Sequence, residues 1–235
     1  MHYVIGDIHN EVKKLSGILD QIRLNSEDEL FLLGDVFDRG GEEADPVGTY
    51  FLLSGIQGKC HWIRGNHDQW LAEYIRNYFS ASERRQSRLH PYYYNSFELM
   101  KQRLTEADML YLADLIDALP LQKEISVDRK SYLLAHAMTS HPSIEKSKDY
   151  YMMGNWELDS FFIDGIEDYI SLCGHTPTGN VIWKTGGMYL DDDKNSIWVN
   201  GKKNVYLLDC GSGFAGGRLA CMCLETGERF YSENV

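Results

Sequence analysis

The chain has 235 residues, 43% hydrophobic and 25% charged, the proportions of a soluble globular protein long enough to bury a sizeable core. A formal net charge of −12 disfavours sequence-independent binding to nucleic-acid backbones, and no run approaches the roughly 20 apolar residues of a membrane-spanning helix. Met1-His2 leads straight into an apolar run with no secretion-signal pattern, so the expectation is a single domain over residues 1–235, in the cytoplasm, without nucleic-acid or membrane partners.

Tyr3-Val4-Ile5 reads as a first strand and runs into Gly6-Asp7-Ile8-His9-Asn10. Val12, Leu15, Ile18, Leu19 and Ile22 then recur at helical spacing, which predicts a helix over 11–24. A second strand, Leu30 to Leu33, delivers Gly34-Asp35-Val36-Phe37-Asp38-Arg39-Gly40. After a glycine-containing turn and an apolar helix over about 46–54, a third strand near 60–64 delivers Gly65-Asn66-His67-Asp68. The pattern is a repeated β-α-β unit.

From Gln69 the pattern changes. Trp70, Leu71, Tyr74, Ile75, Tyr78 and Phe79 form one amphipathic stripe, followed by a polar stretch with Arg84, Arg85 and Arg88. Thr105 and Asp108 have the spacing of an N-capping pair, Met109, Leu112, Ala113 and Ile116 continue the stripe, and Pro120 stops it. Residues 69–120 are therefore read as a helical cap insertion.

Alternation returns at 121–127, and Tyr132 to Ala135 ends at His136. Residues 169–173 lead into Gly174-His175-Thr176-Pro177, while 181–183, 197–199, 205–209 and 219–224 read as strands of a largely antiparallel second sheet. The break at 184–195 reads as a hairpin or loop excursion. Cys60, Cys173, Cys210, Cys221 and Cys223 sit beside strand-like runs, and their odd number and spacing suit reduced core thiols.

Hard polar groups thus arrive at the ends of buried strands, where open α/β sheets place functional residues. Two carboxylates about 4 Å apart in a partly buried site repel by roughly 4 kcal/mol, and a shared divalent cation reverses that sign. Asp7, His9, Asp35, Asn66, His136 and His175 offer oxygen and nitrogen donors without sulfur, which suits manganese, iron or zinc and not an iron–sulfur cluster. Singly, each has a plainer reading: a structural histidine, a loop-capping Asp35 and Asp38, a helix-capping Asn66. Their joint order after predicted strands favours a metal site. His61, His90 and His141 read as surface or structural groups, the arginine cluster as a solvated loop, and Tyr92-Tyr93-Tyr94 as packing.

The ordered blocks GDIHN, GDVFDRG, GNHD, Ala135-His136 and GHTP resemble the calcineurin-like metallophosphoesterases. Asp38-Arg39-Gly40 and the lone histidine of GHTP resemble the phosphoprotein phosphatase branch, with its bacterial and phage members and the related symmetrical diadenosine tetraphosphatases. Asp209-Cys210-Gly211 resembles that branch's Asp-x-Gly strand end. The resemblance implies an α/β fold, a four-layer α/β/β/α sandwich of two mixed sheets. It implies two metal ions, manganese first and iron or zinc as alternatives: one on Asp7 and His9, the other on Asn66, His136 and His175, with Asp35 bridging. His67 would be the general acid with Asp38 as its partner, and Arg39 a phosphate clamp.

The implied activity is hydrolysis of phosphomonoesters by metal-activated water, of serine/threonine protein phosphatase type, on a phosphorylated protein or a small phosphate ester. The alternatives are a dinucleoside polyphosphate hydrolase and a catalytically silent binding or scaffold protein on the same fold. The chain also departs from the branch. Residues 137–174 contain no arginine to act as a second clamp, and Trp156-Glu157-Leu158 stands where Trp-x-Arg is expected. Asp68 replaces a glutamate and Asn10 a glycine. Lys148, Arg218 or an arginine of the cap are the substitutes on offer for the clamp.

Overall fold

A computed structural model describes residues 1–56, 59–90, 95–155, 157–181, 186–191 and 194–233. In chain order the first elements are β1 (His2–Ile5), α1 (Val12–Ile22), β2 (Glu29–Leu32), α2 (Pro46–Ser54), β3 (Lys59–Trp62), α3 (Asn66–Phe79), α4 (Glu83–Gln86), α5 (Ser96–Lys101) and α6 (Glu106–Ala118). They are followed by β4 (Gln122–Val127), β5 (Lys130–Ala135), α7 (Lys148–Met153), α8 (Leu158–Asp164), β6 (Ile170–Cys173), β7 (Met188–Tyr189), β8 (Trp198–Val199), β9 (Val205–Leu207), β10 (Ala220–Cys223) and β11 (Arg229–Tyr231).

The strands form two mixed sheets, one ordered β11-β10-β1-β2-β3 and one β4-β5-β6-β9-β8-β7. Side-chain alternation with period two explains why both are covered on both faces. In β1, Tyr3 and Ile5 enter one apolar cluster with Leu15 and Ile18 of α1, while Val4 enters another. That second cluster lies between the sheets, where Phe31 and Leu33 of the first meet Tyr132, Leu134 and Leu172 of the second. A third cluster buries Tyr150, Tyr151, Phe161 and Phe162 of α7 and α8 on Ala135, Cys173, Val205 and Leu207. Three clusters separate four layers, helix, sheet, sheet, helix, as the resemblance implies.

The helices follow from local chemistry. Asp45 accepts from Gly48 N at 2.8 Å and Pro46 opens the first turn of α2. Thr105 Oγ1 accepts from Asp108 N at 3.2 Å while Asp108 accepts from Thr105 N at 3.0 Å, the reciprocal cap that the sequence predicts. Helix α3 begins at Asn66, earlier than its apolar stripe suggests, because Asp68 Oδ2 accepts from Gly65 N at 3.0 Å and closes the first turn there. Helices α3, α5 and α6 contribute Leu71, Ile75, Phe97, Met100, Leu112 and Ile116 to the cluster outside the first sheet. The buried Arg64 guanidinium ties α6 to β3 by donating to the carbonyls of Leu119, at 2.8 Å, and Asp117.

Several expectations need correction. The strand at 219–224 joins the first sheet, with Cys221 opposite Ile5 in an antiparallel pair. The second sheet is mixed, since β5, β6 and β9 run parallel. Apolar alternation marks a strand but carries nothing about its partner. Helices α7 and α8, with 6 and 7 residues, are too short to show a period, and β7 and β11, with 2 and 3 residues, equally so. β7 falls inside the expected loop excursion. Of the strand expected at 181–183, Val181 lies in a turn and 182–183 lie outside the described residues, as do Tyr92-Tyr93-Tyr94 and Trp156. All five cysteines are free. No helix among the described residues is long and apolar enough to cross a membrane.

Candidate metal centre

Parallel strands β1, β2 and β3 of one sheet and β5, β6 and β9 of the other present their carboxyl ends to one place. The loops leaving them carry Asp7 and His9, Asp35 to Arg39, Asn66 and His67, His136, His175 and Asp209 respectively. Backbone hydrogen bonds lock the first two loops together: Ile8 N and His9 N both donate to Asp35 O at 3.0 Å, and Asn10 N to Val36 O at 3.0 Å. Asp68 clamps the next pair, Oδ1 accepting from Val36 N at 2.9 Å and Oδ2 from Gly65 N. His9, Asn10, Asp35, Asp38, Arg39 and His175 all take left-handed φ values between 49° and 63°. Such strain persists only where the surroundings over-determine it, and it gathers at functional sites.

The six donors expected from the sequence fall into two groups that share one residue. Asp7, His9 and Asp35 form the first, and Asp35, His136 and His175 the second, each with ligand atoms within 4.8 Å of one another. The sharing is atomic: Asp35 Oδ2 lies 3.9 Å from His9 Nε2 and 3.2 Å from His136 Nε2. Asn66 Oδ1 completes the second group at 3.0 Å from His136 Nε2 and 2.9 Å from His175 Nδ1.

Ring tautomers follow from the outer contacts. His136 Nδ1 faces the Leu33 carbonyl at 2.8 Å, and His9 Nδ1 faces those of Phe37 and Asp38 at 3.2 Å. Carbonyls only accept, so both Nδ1 atoms donate and Nε2 is the ring nitrogen each turns inward. Arg39 Nη1 stands 3.2 Å from His9 Nε2, and its guanidinium lies over the Phe214 ring at 4.7 Å. His67 Nδ1 lies 3.5 Å from Asp38 Oδ2, its ring edge-on to those of His9 and Trp70.

The electrostatics are those of several ionisable groups buried in mutual contact. Burial and the neighbouring Asp209 carboxylate push the Asp7 carboxyl well up. Burial also works to raise Asp35, but the opposing charge and hydrogen bond of His136 outweigh it and hold Asp35 below the ordinary range. His136 shows the mirror image: burial opposes its charge, yet Asp35 and Asp7 push it up to about 10. Burial drives His9 down to about 4 and, with the His136 charge, His175 down to about 3. The donors therefore fit a pair of cations in chemistry and spacing. Two glycines make room for them. A Cβ at Gly174 would stand 2.0 Å from Asp7 Oδ1, and one at Gly65 2.2 Å from Asp35 Oδ1.

Asp209 was singled out by its strand end but assigned no role. It is 1% exposed, pushed up to about 6 by burial, and its Oδ2 has no hydrogen-bond partner among the described residues. Asp68 and Ser96 were missed as site residues: both act through backbone amides, which leave no spacing signature. His61 stacks on Phe31 and bonds Glu29 at 3.1 Å, away from the strand ends. His90, Arg84, Arg85, Arg88 and Lys148 are exposed. Arg218 donates to the Asn195 carbonyl at 3.2 Å and packs on Tyr231.

Comparison with known proteins points the same way. The profile of the calcineurin-like phosphoesterases matches residues 3–207. An uncharacterised protein of Methanocaldococcus jannaschii is 26% identical over 207 residues, which cover 83% of this chain and 72% of that protein. A symmetrical bis(5′-nucleosyl)-tetraphosphatase of Erwinia tasmaniensis is 38% identical over 68 residues, only 28% of this chain and 23% of that one. Among solved structures, one assigned provisionally as a diadenosine tetraphosphatase superposes with a TM-score of 0.63 at 16% identity, covering 98% of this chain and 91% of its own.

Proposed function

The chain belongs to the calcineurin-like phosphoesterase family, and on that premise we propose that it is a dinuclear metal-dependent phosphatase of the serine/threonine protein phosphatase type. The observation that carries the two-ion reading is the position of Asp35 Oδ2 between His9 and His136. Asp7, His9 and Asp35 would hold one ion, and Asp35, Asn66, His136 and His175 the other, with manganese the first candidate and iron or zinc next. When bound, such ions supply Lewis acidity, neutralising phosphoryl oxygens and providing a water of lowered pKa.

The remaining chemistry belongs to side chains. Asp38 at His67 Nδ1 leaves the opposite ring nitrogen to protonate the leaving oxygen as its bond to phosphorus breaks. Arg39 presents a planar fork suited to phosphate oxygens, and Phe214 beneath it limits its swing. A silent scaffold has no need of a buried carboxylate–imidazole pair beside a guanidinium. The substrates consistent with this reading are a phosphorylated protein or a small phosphate ester. The local likeness to a tetraphosphatase favours, as a second reading, hydrolysis of dinucleoside polyphosphates.

Metal analysis of the purified chain, with phosphate release from phosphopeptides and ADP release from diadenosine tetraphosphate in added manganese, tests both readings. Phosphate release from peptides is expected. Activity confined to the dinucleotide overturns the first reading in favour of the second, and no activity with two bound ions returns the scaffold.

A further inference from the structure

The turn that carries Asp38 and Arg39 is strained, with φ values of 63° and 57°, and two residues outside the metal ligands hold it. Ser96, the first residue of α5, is fully buried. The Asp38 amide donates to Ser96 Oγ at 2.7 Å, and Asn10 Nδ2 donates to the same oxygen at 2.9 Å. Asn10 Nδ2 also donates to the Arg39 carbonyl at 3.2 Å. The Asn10 backbone is itself left-handed, at 61°, and its carbonyl receives the amides of Val12 and Asp45.

These contacts fix the role of the Ser96 hydroxyl. A hydroxyl oxygen has two lone pairs and one proton. Both lone pairs of Ser96 are taken by N–H donors, so its O–H can only donate. Asp38 is thereby gripped at its amide by one side chain from the helical segment 69–120. The asparagine at position 10, where the related branch has glycine, earns its place by filling the second lone pair.

We propose that Ser96, oriented by Asn10, is a positioning residue that holds Asp38 and, through it, the ring of His67 in place for proton delivery to the leaving group. The inference rests on the roles given to His67 and Asp38 under the proposed function. The α5 segment then bears directly on the reaction through its contact with the Asp38 turn.

The test uses the full chain, with Ser96→Ala, Asn10→Gly, His67→Asn and the Ser96→Ala, His67→Asn double variant. In manganese, Ser96→Ala is expected to lower kcat for alkyl phosphates about ten-fold, the loss of roughly one buried hydrogen bond. KM should stay within about two-fold and aryl phosphates, whose leaving groups need less protonation, should suffer less. Asn10→Gly, which the left-handed backbone tolerates, should act in the same direction with a smaller loss. In the His67→Asn background, Ser96→Ala should cost little more, because its effect runs through the ring already removed.

Equal losses in the two backgrounds, or equal losses for alkyl and aryl esters, mean a merely structural role and overturn the inference. A second readout is independent of activity: amide hydrogen exchange at Asp38 in metal-free protein should accelerate about ten-fold or more in Ser96→Ala. An unchanged exchange rate overturns the inference whatever the kinetics. A parent protein that hydrolyses no phosphate ester defeats the proposed function separately, and the exchange measurement still decides whether Ser96 anchors Asp38.

Discussion

Replacing Asp35 by Asn is expected to remove both metal ions, whereas replacing His9 or His175 by Ala removes one. The asymmetry comes from one oxygen: Asp35 Oδ2 faces His9 Nε2 at 3.9 Å and His136 Nε2 at 3.2 Å, while His9 belongs only to the first donor group and His175 only to the second. An ion present at about 100 times its dissociation constant stabilises the fold by about 2.7 kcal/mol. In a chain of 235 residues, each kcal/mol raises the melting temperature by roughly 2–4 °C. One ion should then raise Tm by about 5–11 °C, and two independent ions by about twice that. Thermal unfolding of chelator-treated protein, with and without manganese, reads the increment, and metal analysis after gel filtration reads the stoichiometry. The increment is the quantity to compare, because Asp35→Asn also breaks a buried pair with His136 and lowers the metal-free baseline. Expected are the full increment for the parent, about half for His9→Ala and His175→Ala, and none for Asp35→Asn. If Asp35→Asn keeps half, the two groups do not share that carboxylate. If His9→Ala and His175→Ala each lose everything, there is one ion and not two.

Further expectations are independent of that result. His67→Asn should keep its manganese and lose turnover of alkyl phosphates by roughly 10²–10⁴; alkyl phosphate hydrolysis at the parental rate would remove His67 from the proton-donor role. Gly174→Ala places a Cβ 2.0 Å from Asp7 Oδ1, so the loop must shift, at a cost of about 1–3 kcal/mol; manganese titration should show one weakened site, and parental affinity for both ions would contradict the cradle. The Arg229 guanidinium, bonded to Asp191 at 2.9 and 3.0 Å, holds that carboxyl below its usual value, aided by Tyr231. A folded pKa below the unfolded value of about 3.9 gives stabilisation that is complete above it and lost as pH falls through the lower folded value. The parent should therefore lose melting temperature more steeply than Asp191→Asn between about pH 5 and pH 3; parallel curves would show that the pair contributes nothing.

Much of the site was legible because its parts are local. Each candidate ligand follows an apolar strand-like run, and the structure ends a parallel strand one to four residues before Asp7, His9, Asp35, Asn66, His136 and His175. The Thr105 and Asp108 cap was equally readable, being a contact across three residues. What escaped was either too short to show a period, as in α7, α8 and β11, or made through backbone amides, as with Asp68 and Ser96. Ser96 is 58 residues from the Asp38 amide it holds and 86 from Asn10, and nothing near it in the chain announces those partners.

The residues alone therefore determined which donors this protein carries, that they sit just past strands, and that sulfur is not among them. These features depend on periodicities of two and 3.6 and on steric preferences that act between near neighbours. Tertiary structure decided the rest: that β10 returns to pair with β1 across more than 200 positions, that six strand ends from two sheets meet at one spot, and that a single carboxylate oxygen serves both donor groups. Such convergence is a property of the whole packed core, whose three apolar clusters fix the sheets face to face. No stretch of chain short enough to show a pattern contains that information.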